Sequence, residues 1–221
     1  MRLSLLVSAL LATGFLASSA WAMDPVDVGM TVGTLGAGPE VGIVIVPDQY
    51  DARLSAGFFS YSYNKTSNNV TYTGNLQLQN IALMGDWHPF AGSFRLTGGV
   101  MYNGNNAGLT AHPAANGTYT FNGNTYTSAQ VGSAAAKVNF NALAPYLGLG
   151  WGDDSATAGF HFTSDIGLMY QGAPNVTLTV TNPTNNAQLA SDVQAAQSKL
   201  QSDLNSLQIY PVVRVGVNYR F

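Results

Sequence analysis

The sequence predicts an all-β fold: an eight-stranded antiparallel transmembrane β-barrel with one helix in its last long loop. Three observations predict it. Period-two alternation recurs through most of the chain. The connections fall into a short class and a long class. Charge is scarce, and what there is falls on the face of each strand opposite the apolar one.

The scarcity bounds the answer first. Only 9% of the 221 residues are charged, against about 25% in a typical soluble domain. Hydrophobic content is an ordinary 46%, with 24 Gly, 11 Tyr and 10 Phe. That mixture suits a wall with one face on lipid and small or polar residues inside. The formal charge of −3 is mild and no basic cluster exists, so nucleic-acid binding has no electrostatic footing. Cysteine is absent, which excludes disulfides, thiolate chemistry and Cys-type zinc sites.

Residues 1–22 read as a signal peptide. Arg2 is a short positive region, LSLLVSALLATGFLA is the apolar core, and Ala20-Trp21-Ala22 places small residues for cleavage before Met23. Residues 23–221 are then the barrel domain. No later run reaches the length of a membrane helix, so membrane residence has to come from strands.

The C-terminal stretch alternates most clearly. Val213, Val215, Val217, Tyr219 and Phe221 share one face, and Arg214, Gly216, Asn218 and Arg220 the other. In a barrel the arginines face the lumen and the aromatics join the interfacial girdle. Phe160, Phe162, Ile166, Leu168 and Tyr170 likewise oppose His161, Thr163, Asp165 and Gly167. Phe94, Leu96, Val100 and Tyr102 oppose Arg95, Thr97, Gly99 and Asn103. Leu143, Leu147, Leu149 and Trp151 alternate with Ala144, Gly148 and Gly150, which are small enough for a narrow interior.

The expected strands are roughly 27–35, 39–47, 52–65, 70–87, 93–104, 138–151, 156–171 and 208–221. The first two are separate if the chain turns at Gly36-Ala37-Gly38-Pro39. Another route to eight makes Val176 to Val180 a strand. PDQYD, HPFAG and GDDS are short turns rich in Pro, Gly and Asp, whereas 104–137 and 172–208 are long and polar. Short turns on one side and long loops on the other are the outer-membrane arrangement, with the short turns periplasmic. Within the long loops, TYTFNGNTYT at 118–127 reads as a hairpin. Residues 186–207 read as a helix with Leu189, Val193, Ala196, Leu200, Leu204 and Leu207 in one stripe. Asp192 and Asp203 fall off that stripe.

These features resemble the small outer-membrane barrels of the OmpA, OmpX and OmpW type. The segments GTLGAGPE, DWHPF, FRLTGGVMYN, APYLGLGWG, GLMYQGAP and YPVVRVGVNYRF resemble, more closely, a set of proteobacterial outer-membrane proteins that lends no activity. The resemblance covers most of the mature chain. It implies insertion by the BAM machinery, with Val217, Tyr219 and Phe221 in the C-terminal insertion signal. The surroundings would be outer-membrane lipid and lipopolysaccharide, the chain a monomer without cofactor. An OmpA-type peptidoglycan-binding domain has no counterpart in the sequence.

Two constellations carry candidate chemistry. Arg53, Arg95, Arg214 and Arg220 could meet Glu40, Asp86 and Asp165 inside the barrel, because buried charges need partners. The expected result is a lumen plug; the alternative is a narrow polar path for small or hydrophobic solutes. His161, Thr163, Ser164 and Asp165 contain hydrolase parts, as in a lipid-modifying enzyme. Their spacing argues against it, since Ser164 points away from the other three. Trp87 is expected in the girdle and His88 in the turn. Three scattered histidines make no metal site, and Asp153 and Asp154 are at most a weak calcium site.

Overall fold

The computed structural model describes residues 26–67, 69–114, 116–152 and 158–221. The expected signal peptide, Asp153 and Asp154 lie outside the described residues. Thirteen strands and two helices are described.

Five strands lead from the N-terminus: β1 (Val26–Gly33), β2 (Gly36–Val46), β3 (Tyr50–Ser67), β4 (Val70–Trp87) and β5 (Phe94–Asn103). An outlying group follows: β6 (Asn106–Pro113), β7 (Thr118–Phe121), β8 (Asn124–Thr127), the single turn α1 (Ser128–Val131) and β9 (Ala134–Asn139). The chain continues through β10 (Leu143–Trp151), β11 (Gly159–Tyr170), β12 (Asn175–Val180), α2 (Ala187–Leu204) and β13 (Ile209–Arg220).

Eight strands close a ring in the order β1-β2-β3-β4-β5-β10-β11-β13, every neighbour antiparallel. Closure leaves no free edge between them. The first two strands are indeed separate, but they turn at Thr34 and Leu35, ahead of the expected site. Gly36 allows this with a φ of +100°, where a side chain is strained.

Alternation places the apolar residues outside. Met30, Val32, Ile43, Leu54, Leu83, Val100, Leu147, Phe162, Leu168 and Val215 are all exposed around the ring. Burying such surface in lipid is favourable by roughly 25 cal/mol per Å². Aromatic rings gather at the short-turn end. Phe160 and Phe221 flank Tyr219 at centroid distances of 5.1 and 5.0 Å, and Phe94 meets Trp151 at 5.6 Å. Trp87 is half exposed there. His88 is a turn residue, as expected: its ring nitrogens bond the Gly92 carbonyl and Asp51 Oδ2, each at 2.9 Å.

Two expectations need correction. The strand expected over 138–151 is two: β9 leaves the ring, and β10 begins only at Leu143. Val138 pairs with Ala107 and Val176 instead of with ring residues. Alternation alone could not reveal that change of partners. The long loops also hold two helices, α1 and α2, where one was expected.

The outlying strands build a second structure on top of the ring. β4 is long enough to serve both. Asn80 to Trp87 pair with β5, while Val70 to Gln77 pair with β6. β9 and β12 extend the sheet, so the segment 176–180 is a strand, though not of the ring. The expected hairpin at 118–127 forms β7 and β8. It lies against this sheet with α2, around Val70, Ala111, Tyr119, Tyr126, Val131, Ala134, Leu189 and Val193. We call this upper structure the lobe.

Candidate functional site

Inside the ring, six charged side chains from six strands form one lattice. Arg53 on β3 is its hub. Its Nε and Nη2 donate to Asp86 Oδ2 and Oδ1 at 2.5 and 2.9 Å. Nη2 and Nη1 also donate to the two oxygens of Asp165 at 3.1 and 3.2 Å, and Nη1 reaches Glu40 at 3.4 Å. Arg95 donates to Asp165 at 2.8 Å and to the Gly152 carbonyl at 2.9 Å. Arg214 donates to Asp165 at 2.9 Å, Glu40 at 3.2 Å and Ser55 Oγ at 2.9 Å. Thr97 adds a 2.5 Å bond to Asp86.

Three guanidinium groups thus face three carboxylates, and the lattice is neutral. That balance is what makes it tolerable. Moving one ion out of water costs several kcal/mol, recovered only through close pairing with most lone pairs satisfied. All six residues are at most 4% exposed. A glycine makes the geometry possible: a Cβ on Gly150 would fall 2.5 Å from Arg95 Nε and 2.7 Å from Asp165 Oδ1.

Arg220 is not in this lattice. It donates through Nε and Nη2 to Asp27, both at 2.7 Å, as a separate bidentate pair at the end of the ring where the chain finishes. Asp27 was missed by sequence reasoning. The signal was present: Asp27, Gly29 and Thr31 form the polar face of β1, and the first and last strands must meet for the ring to close. In register, Asp27 stands opposite Arg220.

Beyond the lattice the lumen turns apolar. Leu35, Ala82, Met84, Met101, Ala144, Tyr146, Met169 and Val212 form a buried cluster. Asn80, Asn103, Asn105 and Gln171 close the mouth above it, linked by bonds such as Asn80 to Asn105 at 2.9 Å. A cavity between Leu35, Ser55, Asn80 and Arg214 measures only about 10 Å³, around the least that holds one water. Among the described residues the lumen holds ions, then hydrocarbon, then amides.

The hydrolase parts do not assemble. His161, Thr163 and Asp165 do share the inner face of β11. Asp165, however, is gripped by Arg53, Arg95 and Arg214, so its oxygens are committed to cations. Ser164 lies on the opposite face, paired with Val215. Among the described residues no group of three His, Cys, Asp or Glu side chains could hold a metal. No described helix is long and apolar enough to cross a membrane; strands are another matter.

The lobe has its own buried charge. Asp192 on α2 is only 2% exposed. It accepts from the Tyr126 hydroxyl, from Asn122 at 3.2 Å, from Asn124 at 2.8 Å and from Gln188 at 3.3 Å. The Tyr126 bond first, then those of Asn124 and Asn122, hold its carboxyl down at about 2. Asp192 therefore joins α2 to the β7–β8 hairpin. Its place off the apolar stripe gave no hint of burial, because the hairpin wraps past the stripe. α2 also covers the outer edge of β12: Gln201 and Gln197 accept from the backbone amides of Val176 and Leu178 at 2.9 and 3.1 Å.

The fold is shared with two crystal structures from Acinetobacter baumannii. CarO2 superposes with a TM-score of 0.59 at 22% identity, over 90% of this chain and 99% of that one. CarO gives 0.55 at 22%, over 89% and 98%. A major outer membrane protein from Thermus thermophilus aligns at 15% identity with a TM-score of 0.45, over 89% and 99%. No family model and no curated protein matches the sequence.

Proposed function

We propose that this chain is a non-enzymatic β-barrel of the Gram-negative outer membrane, with a sealed lumen and an outward lobe that makes surface contacts and supports the envelope. One observation carries the reading: the ring is apolar outside and closed by a neutral ion lattice inside. A soluble protein has no use for an exposed apolar belt running right round the ring. A pore has no use for an ion lattice and a hydrocarbon layer across its lumen.

The other supports are weaker singly and agree with one another. Aromatic residues at the short-turn end fit a membrane interface. The short turns fit the periplasmic side, and the lobe then faces outward among lipopolysaccharide. The C-terminal strand ending in Val217, Tyr219 and Phe221 fits insertion by the BAM machinery, following export on a signal peptide over 1–22. Kinship with the OmpA, OmpX and OmpW type of barrel belongs to the same proposal, as does a monomeric state. Catalysis is disfavoured by the capture of Asp165, and a solute path by the packed lumen.

Fractionation combined with heat-modifiable gel mobility tests the location. The protein is expected in the outer-membrane fraction, with different mobility before and after boiling. Recovery in the soluble periplasm without a shift would overturn the proposal. Planar-bilayer recording tests the lumen: the refolded protein is expected to be silent, and steady single-channel steps would reject a sealed barrel.

A further inference from the structure

The lobe contains a cleft that the membrane reading leaves without a task. One face of its sheet is apolar. In register across β4, β6, β9 and β12 stand Tyr72, Ala111, Ala134 and Val180, and in the next row Gly74, Leu109, Ala136 and Leu178. The β7–β8 hairpin covers only part of it. Between hairpin and sheet lies a cavity of about 430 Å³, open on one side, lined by Tyr72, Leu109, Tyr119, Phe121, Ala136 and Leu178. That volume falls in the range of small-ligand sites. Tyr119 and Phe121 stack nearly parallel, at 14° and 6.1 Å, which gives the cleft a flat aromatic wall. Tyr119 itself packs on the Ala111 and Ala134 floor, its hydroxyl donating to the Ala111 carbonyl at 3.2 Å, so the open part of the cleft lies beside Phe121, Leu109 and Ala136.

One charge stands on this face. Lys65 is directly opposite Tyr72, so its side chain leaves the sheet on the cleft's side, about 5 Å from the tyrosine at the Cβ. It is exposed. Within the lobe, every other residue of that face in these five strands is uncharged. Lys137, by contrast, lies on the opposite, polar face, in the row of Asn75, Gly108 and Thr177. A slot walled by aromatic and aliphatic side chains, with Thr118 and Thr120 adding polar surface and one cation on the same sheet face, is complementary to a molecule with a flat body and one negative group.

We propose that the lobe cleft binds small aromatic carboxylates, with the ring against Phe121, Leu109 and Ala136 and the carboxylate at Lys65. The site depends on the lobe alone and not on the membrane reading, so the two can fail separately.

The test is equilibrium binding of 2-naphthoate to the full chain in phosphatidylcholine nanodiscs, followed by ligand-observed NMR. Neutral 2-naphthalenemethanol and cationic 2-naphthylmethylamine serve as head-group comparisons. Saturable binding is expected, strongest for the carboxylate. Lys65→Gln should weaken naphthoate about fivefold, the scale of an exposed ion contact, and leave the neutral alcohol unchanged. Ala136→Phe fills the slot and should abolish binding of all three. Lys137→Gln should change nothing. Circular dichroism of each variant separates lost binding from lost fold. No saturable binding, equal affinity for the three head groups, or undiminished binding in a folded Ala136→Phe variant would each overturn the proposal.

Discussion

The lower and upper parts of β4 follow the same alternation with opposite polarity. From Asn80 to Trp87 the even positions are Asn80, Ala82, Met84 and Asp86, which face the lumen, and the odd positions are Gly85 and the exposed apolar Ile81, Leu83 and Trp87. From Val70 to Gln79 the even positions are Val70, Tyr72, Gly74, Leu76 and Leu78. The odd ones are Thr71, Thr73, Asn75, Gln77 and Gln79. Nothing shifts in register, since β3 and β4 pair without interruption from Tyr50–Trp87 to Ser67–Val70. The proposed membrane setting accounts for the change: below the inversion the outer face would meet lipid and has to be apolar, and above it the outer face would meet water. On the inner face above it, Val70 is buried in the lobe's core and Tyr72 packs against that core, while Leu76 stays exposed. β3 inverts at the same height: Leu54 and Phe58 point out below, Ser60, Ser62 and Asn64 above. The lesson is that polarity, and not period, marks where a strand leaves the membrane.

The two regions also stabilise themselves differently, and the largest expected effects come from the ring. Arg53→Met takes away the bidentate partner of Asp86 and leaves two guanidinium groups facing three carboxylates in a buried site. A loss of about 3–5 kcal/mol is expected, read as a lowered urea midpoint for the heat-modifiable form. A loss under about 1 kcal/mol would mean that water reaches the lattice. In the lobe, Leu189 is fully buried. Leu189→Ala should cost about 2–5 kcal/mol, but locally. Hydrogen exchange should speed up in α2 and the β7–β8 hairpin while ring amides stay protected. Acceleration throughout would show that lobe and ring unfold as one unit.

The inversion itself can be probed with one residue type at two heights. Leu83→Lys puts a charge on the lipid-facing belt, at an expected cost of about 2–4 kcal/mol. Gln77→Lys, on the same strand face above the inversion, should stay within about 0.5 kcal/mol of the parent. Equal costs would remove the distinction between the two halves.

The smallest expected effect concerns Asp192. Its carboxyl sits at about 2 in the folded lobe against an ordinary 3.8. A lowered folded value means the stabilisation is complete above roughly pH 4 and fades as pH falls toward about 2. Exchange protection in α2 should therefore weaken across that window in the parent. It should be flat with pH in Asp192→Asn, and protection that rises with acid would contradict the assignment.

Much of the ring was legible from particular residues. Arg95, Asp165 and Arg214 announced the inner face, because charge confined to one side of an alternating, otherwise apolar strand belongs to an interior kept away from lipid. Arg53, Glu40 and Asp86 followed by the same logic. Arg220 was placed on the right face but with the wrong partner, since its mate Asp27 is nearly two hundred residues away and meets it only through ring closure. The lobe was harder to read. Ala134 to Asn139 run in alternation toward Leu143 to Trp151, and only the pairing with β6 and β12 separates them. Asp192 was placed only off the stripe, because a helix stripe reports one packing partner, whereas α2 has both a sheet edge and a hairpin. The inversion in β4 could have been seen in the sequence, where LQLQN gives way to IALMGDW, had polarity been followed along with period.

Cysteine accessibility along the outer face of β4 tests the central claim most directly, because the chain has no native cysteine. Single cysteines at positions 71, 73, 75, 77, 79, 81, 83 and 85 would be exposed to a membrane-impermeant maleimide on intact cells. The account predicts labelling from 71 to 79, then an abrupt loss from 81 onward. Uniform labelling along the strand, or none above position 79, would contradict a strand that passes from lipid into outside water at that point.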